Sequence, residues 1–301
     1  TDGSGCLEDY QAYTLGDEDS GGALRRAFRR LSLHQREVAA IERRRFTRGN
    51  FRKIVAMSKL AAGQIQRRYG LSDEEVVVVY NGVDLERFRP ENVARFRDQV
   101  RDELGVPRDA FALLLVGNDY LRKGVTTLIE ALARVRAAGG IGRPLRAVVI
   151  GRESPRRLRD VVALAKEAGV AGDLVFPGAR RDIEKVHAAA DAFVLPSRFD
   201  IFGNVVLEAM ATGVPSIVSA AAGASECLEE GKTGFVLASP RDAETLARRV
   251  VELAKDEERR RAIGRAASDA ARAWSWDRHF ARILEIYDEV ARAKRAQAVR
   301  A

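Results

Sequence analysis

The chain has 301 residues, 46% hydrophobic and 31% charged, enough for one large core or two ordinary ones. No apolar run reaches the roughly 18 residues of a membrane-spanning helix, and the two cysteines, Cys6 and Cys227, supply neither a disulfide framework nor a metal-ligand spacing. The net charge of +8 comes without interleaved aromatics or a nucleic-acid-binding motif, so nucleic acid is not an expected partner.

Residues 1–22 are polar, Gly-rich and acidic without periodicity, and read as a loop or disordered lead-in. Residues 23–46 have helical spacing. The cationic excess concentrates in residues 24–53, where Leu24, Phe28, Leu31 and Leu33 lie among the arginines. One reading is a solvated helix face. The other is a surface that approaches anionic lipid or an anionic acceptor, with partial amphipathic insertion.

Residues 53–57 form a short apolar strand, and Ser58 caps a helix that runs to Tyr69. Residues 75–80, EVVVVY, read as a buried strand closed by the turn Asn81-Gly82-Val83-Asp84. A looser helix over about 94–104 precedes Pro107. Strands and helices then alternate, with strands at 112–116, 146–150, 174–177, 192–195, 216–218 and 234–237. Helices fall between the earlier strands at 124–138, 158–168, 183–190 and 205–212. Such alternation indicates βαβ units in a parallel, doubly wound sheet, whose ligands bind at the carboxyl ends of its strands. Residues 241–298 read as helical, with Trp274 and Trp276 packing to anchor the last helix.

The most informative stretch is 195–226, LPSRFDIFGNVVLEAMATGVPSIVSAAAGASE. Asp200 precedes a Phe-Gly turn, and Glu208 follows eight residues later on the helix that the turn opens. Free N–H groups at a helix start attract anions, and a carboxylate farther up the helix accepts hydrogen bonds from sugar hydroxyls. Two acids around one phosphate-binding turn suggest a nucleotide sugar.

This stretch resembles the donor-site signature of retaining GT-B glycosyltransferases, in particular glycosyltransferase family 4. That signature is a Glu, seven residues and a Glu in a strand, Phe-Gly and helix context, then Gly-x-Pro, a strand and a small-residue loop. Glu208, Gly213-Val214-Pro215, Ser216-Ile217-Val218 and Ala222-Gly223-Ala224-Ser225-Glu226 fit it. Asp200 stands where the family has Glu, which keeps the charge and shortens the reach by one methylene.

The resemblance implies an α/β, GT-B-like fold of two Rossmann-like domains, the N-terminal one incomplete. The expected divisions are a partial acceptor-side domain at 1–106, a nucleotide-sugar-binding domain at 107–270, and a helix at 271–301 packing back toward the first. Only about 100 residues precede the second domain, fewer than such a half needs, and the family's N-terminal loop histidine has no match here. The chain is expected to be a fragment, to be completed by another chain, or to be a divergent short form, with a fragment favoured. Function follows as transfer of a sugar from a UDP- or GDP-linked donor to a saccharide or glycolipid hydroxyl. Retention, metal independence and the absence of a cofactor are all implied by the resemblance.

Residue by residue, Arg122 and Lys123 in NDYLRKG (118–124) match the family's basic pair, which offsets charge on the leaving diphosphate. The Arg-Lys-Gly form is similar to lipopolysaccharide-core glucosyltransferases, whereas Asn118 replaces a frequent Arg. Asp200 is placed against donor-sugar hydroxyls or the positive charge developing at the anomeric carbon, and Glu208 on the ribose diol. Gly203 and Asn204 supply backbone donors, and Arg152 and Arg180 lie on strand-end loops near the base. Plainer readings stand beside these: Arg122 and Arg152 as solvated charges, Asp200 as an exposed turn acid. His34, His187 and His279 show no spacing to Cys or acids, and His187 reads as structural. The implied setting is bacterial glycan or lipopolysaccharide synthesis in the cytoplasm, peripheral at the inner face of the membrane through residues 24–53. Two alternatives remain open, a truncated non-catalytic nucleotide-binding module and a GT-B-fold nucleotide-sugar 2-epimerase.

Overall fold

The computed structural model describes residues 33–300. The lead-in and the apolar residues Leu24, Phe28 and Leu31 of the basic segment lie outside them. Gly82–Trp276 form one compact unit. The described residues through Asn81, with those from Asp277 onward, form the other.

The smaller unit holds helix α1 (Leu33–Arg45), strand β1 (Ile54–Ala56), helix α2 (Lys59–Tyr69) and strand β2 (Val76–Val78), with β1 and β2 paired in parallel. Ser58 caps α2 by accepting from the Ala61 N–H at 3.1 Å. Arg48 clamps the unit: its Nε donates to Glu75 at 2.8 Å and a terminal nitrogen donates to the Gly70 carbonyl at 2.8 Å.

In the larger unit helix α3 (Glu91–Leu104) precedes strand β3 (Phe111–Val116), helix α4 (Val125–Ala137), strand β4 (Leu145–Ile150), helix α5 (Pro155–Glu167) and strand β5 (Leu174–Gly178). Then come helix α6 (Ile183–Ala189), strand β6 (Ala192–Leu195), helix α7 (Val205–Thr212), strand β7 (Ser216–Ser219) and strand β8 (Gly234–Leu237). The six strands are all parallel, in the order β5-β4-β3-β6-β7-β8. This is the doubly wound arrangement, with its switch point between β3 and β6. Every residue of β3 is buried, as a central strand covered on both faces requires.

The expected helical stretch at 241–298 is three helices: α8 (Ala243–Lys255), α9 (Glu257–Ala271) and α10 (Trp276–Arg300). Asp256 interrupts the first two and caps α9 by accepting from the Arg259 N–H at 2.9 Å. Trp274 and Trp276 are half-buried. The main chain ties this segment down, with the Val83 N–H donating to the Trp274 carbonyl at 2.8 Å.

The sheet-bearing unit begins at Gly82 rather than at residue 107, and it closes at Trp276 rather than 270. A buried charge cluster explains the first difference. Asp191, just ahead of β6, faces Arg97 at 2.6 Å and Arg101 at 2.8 Å, both on α3, and Arg260 of α9 at 3.9 Å. Its carboxylate also accepts from the Ala112 N–H at 2.8 Å, while its own N–H donates to the Ala112 carbonyl. Arg101 is fully buried and donates further to the carbonyls of Ala189, Arg108 and Ala110. Helix α3 is thereby bolted to the start of the sheet.

Burial opposes ionisation of Asp191, yet Arg97, the Ala112 N–H and Arg101 hold its carboxyl below the usual range. Its stabilisation is therefore complete above the unfolded value of about 3.9 and is lost as pH falls through the lower native value. Asp191→Asn leaves Arg101 buried and uncompensated, which costs about 3–5 kcal/mol. Urea unfolding at pH 7 should show that loss, and the gap between variant and parent should close as the pH drops below about 4. Equal stabilities at pH 7 would refute the assignment.

Candidate functional site

The loop after β3 (residues 117–124) and the loop after β6 (residues 196–204) flank the switch point. Two sets of bonds fix the first loop. Toward β4, the Asn118 side-chain oxygen accepts from the Arg152 N–H at 2.7 Å, and Glu153 accepts from the Tyr120 N–H at 2.8 Å. The buried Tyr120 donates its hydroxyl to the Gly151 carbonyl at 3.1 Å and stacks on Phe176. Toward β6, the Lys123 ammonium pairs with the Asp200 carboxylate, and Arg122 donates to the Phe199 carbonyl at 3.2 Å. The Arg198 N–H donates to the Arg122 carbonyl at 2.8 Å.

Gly124 lets the two loops close on each other. It has φ +81°, and a Cβ there would stand 1.9 Å from the Pro196 carbonyl oxygen. Asp119 also adopts positive φ, at 59°, a conformation Asp tolerates better than most residues. Its carboxylate lies 3.2 Å from Arg157 and 3.6 Å from Arg122.

The β6 loop is braced from its other side. Asp200 and Phe202 pair their main chains with residues 221–224: the Asp200 N–H donates to Ala221 O, the Gly223 N–H to Asp200 O, and the Ala224 N–H to Phe202 O. Small side chains at Ala221, Ala222, Gly223 and Ala224 let this strip lie flat against the loop. Gly203, at φ +88°, passes beneath Asp200, where a Cβ would come within 3.2 Å of the carboxylate. Asn204 then caps α7, with its carbonyl accepting from the Glu208 N–H at 3.1 Å.

Lys123 and Asp200 are each mostly shielded, with side chains 10% and 14% exposed, so their charges meet with little water between them. Glu208 sits in the first turn of α7 at the helix's positive end. Its side chain, 22% exposed, keeps an open face and lies 3.5 Å from His187 of α6.

Seven of the expected residues thus ride on the two switch-point loops and the helix they open: Asn118, Arg122, Lys123, Asp200, Gly203, Asn204 and Glu208. Asn118 and Arg152 are joined to each other at the ends of β3 and β4, with the Arg152 side chain exposed. Arg180 is already engaged: Asp182 accepts at 2.9 and 2.6 Å and Glu103 at 2.9 Å. The Asp182 hydrogen bonds, with Glu103, drive its pKa further upward. Asp119, Glu153 and the His187–Glu208 contact are not apparent from sequence, since each joins residues with no motif spacing. Only the Gly-x-Glu run at 151–153 hints at a strand-end loop. His279 meets the Tyr80 carbonyl at 2.8 Å. Among the described residues no three of His, Cys, Asp and Glu gather as metal ligands would. Burial pushes the Cys227 thiol up to about 12, which makes it a poor nucleophile.

With this geometry in view, the likenesses to other proteins are specific. Residues 96–270 match the family of glycosyl transferases group 1, and residues 17–87 match Glycosyltransferase Family 4. The chain is 34% identical over 256 residues to the D-inositol 3-phosphate glycosyltransferase of Saccharomonospora viridis, covering 82% of this chain and 58% of that protein. It is 30% identical over 217 residues to the lipopolysaccharide glucosyltransferase WaaG of Escherichia coli, covering 72% of this chain and 57% of that one. The chain therefore spans a little over half the length of these curated relatives. The crystal structure of HepE from Anabaena in complex with UDP and glucose shares the fold, with a TM-score of 0.72 at 24% identity over 86% of this chain and 68% of that one. On the strength of these matches and of the doubly wound sheet that carries them, the chain belongs to the group 1 glycosyltransferases of the GT-B fold.

Proposed function

We propose that this chain carries the donor site of a retaining, metal-independent glycosyltransferase that moves a sugar from a UDP- or GDP-linked donor to a saccharide or glycolipid hydroxyl. The observation that carries the reading is the shielded Lys123–Asp200 pair at the switch point, one helix start away from Glu208. The complex of HepE with UDP and glucose, and the likeness to the glucosyltransferase WaaG, support a uridine-linked donor of the glucose class. No cofactor beyond the donor itself is part of the reading.

In this mechanism a diphosphate, with more charge than one carboxylate, draws the Lys123 ammonium toward itself. Arg122 and the main-chain N–H groups of 203–204 complete its cradle. Asp200, relieved of its partner, turns to the donor-sugar hydroxyls. Its charge also favours the oxocarbenium character of the anomeric carbon. Glu208 accepts from the two ribose hydroxyls. As the bond from the anomeric carbon to the diphosphate oxygen breaks, the acceptor oxygen bonds to that carbon from the same face. The acceptor proton passes to the departing phosphate, so configuration is retained. Cations on side chains here do what a divalent metal does in other transferases.

Titration calorimetry with UDP, GDP and ADP in the absence of metal tests the donor site. One of the three should bind. Glu208→Ala should weaken it by roughly 10- to 100-fold, as the loss of charge-assisted hydrogen bonds implies. Binding of none, or binding indifferent to Glu208, would overturn the reading. For the chemistry, a transfer assay with anomer-resolved NMR should show retention and insensitivity to EDTA, and an inverted product would reject the same-face step.

Peripheral contact with an anionic membrane through residues 24–53 is a separate part of the proposal. It is supported by the exposed Arg36, Arg43, Arg44 and Arg45 of α1. At low salt the chain should pellet with vesicles rich in phosphatidylglycerol and not with neutral ones; equal recovery in both would remove this element.

A further inference from the structure

His187 is completely buried, and neither of its ring nitrogens has a hydrogen-bond partner. Buried polar groups of native proteins are paired in the great majority of cases, and an orphaned donor is destabilising. The ring sits between two phenyl groups, edge-on to Phe88 at 5.9 Å and tilted against Phe193 at 5.6 Å. Glu208 Oε2 lies 3.5 Å from Nε2. Hydrogen bonds from N–H to O run at about 2.7–3.2 Å, so the two groups stand a few tenths of an ångström short of one. The tautomer with its proton on Nδ1 would bury a donor with no acceptor in reach. The Nε2–H tautomer instead puts the proton on the nitrogen that lies 3.5 Å from the carboxylate, and leaves a lone pair rather than a donor at Nδ1.

We infer that His187 is a positioning residue for Glu208: its Nε2–H closes onto Oε2 when a ribose diol engages the carboxylate, and so holds the carboxylate plane in register with both hydroxyls. The inference rests on the reading that Glu208 binds the ribose. A carboxylate has about four lone-pair sites, so two hydroxyls and one imidazole fit on it together. Helix α6 supplies the rigidity, since His187 is locked within it by aromatic contacts and Glu184 on the same helix is held by Arg87 at 2.8 Å. In this arrangement the imidazole touches neither donor nor acceptor. It raises the affinity for a ribonucleotide by removing the carboxylate's freedom to turn away.

The test compares, on the full chain, the dissociation constant of the tightest binder among UDP, GDP and ADP with that of its 2′,3′-dideoxy form. The ratio reports the hydroxyl contacts alone. In the parent the ribonucleotide should bind more tightly, and Glu208→Ala should erase the preference. His187→Phe keeps an aromatic ring between Phe88 and Phe193, and should lower the preference about three- to tenfold, the net worth of one typical hydrogen bond. His187→Gln, which still donates, should keep most of it. His187→Met serves the same purpose should the Phe variant fold poorly. An unchanged ratio in His187→Phe, or equal weakening of both nucleotides, would overturn the inference while leaving Glu208 in its role. A preference that survives Glu208→Ala, or none in the parent, would remove the ribose reading and this inference with it.

Discussion

Asp191 is the point on which the larger unit depends. One carboxylate ahead of β6 pairs with Arg97 and Arg101 of α3, approaches Arg260 of α9, and bonds the main chain at the start of β3. A buried arginine without this partner would be strongly destabilising, so α3, β3, β6 and α9 are held in one arrangement. Because Asp191 and Ala112 exchange main-chain and side-chain bonds, the register of β6 beside β3 is set at the amino ends of the strands. The carboxyl ends then emerge at fixed height, and the two loops that meet there have one way to meet.

At those ends the same logic runs with different chemistry. Gly124 passes so near the Pro196 carbonyl that no side chain fits, and the Lys123–Asp200 pair closes the gap beside it. The two halves of the doubly wound sheet are thus joined by charge at the bottom and by backbone contact and charge at the top. The pair at the bottom is saturated with partners and purely structural. The pair at the top is shielded and has one ammonium for one carboxylate; in the proposed reading a more highly charged anion takes the ammonium over, and stability and donor binding are then divided between the two ends of the same pair of strands.

Much of this was legible in the sequence for stated reasons. The strands of the larger unit are short apolar runs between turn residues, and their alternation with helices leaves a parallel sheet as the consistent answer. The acid pair around the Phe-Gly turn placed Asp200 and Glu208 on one loop and helix because that spacing is local. What escaped is non-local. Arg101 and Asp191 are 90 residues apart and carry no pattern, so the boundary of the unit could not be read at Gly82. Arg180 is expected near the base from its strand-end loop; the structure pairs it with Asp182 and Glu103, and no one-dimensional signal announces a neighbour 77 residues away. His187 read as a structural helix residue, and its burial agrees. The carboxylate beside it becomes visible only when α6 and α7 are packed together.

The most direct measurement is a crystal structure of the chain with the nucleoside diphosphate that binds it. The account predicts the diphosphate at the start of α7, within hydrogen-bonding distance of the Lys123 ammonium and the 203–204 main chain, with both ribose hydroxyls on Glu208. A nucleotide seated elsewhere on the unit, or a ribose out of reach of Glu208 with Lys123 still on Asp200, would contradict it.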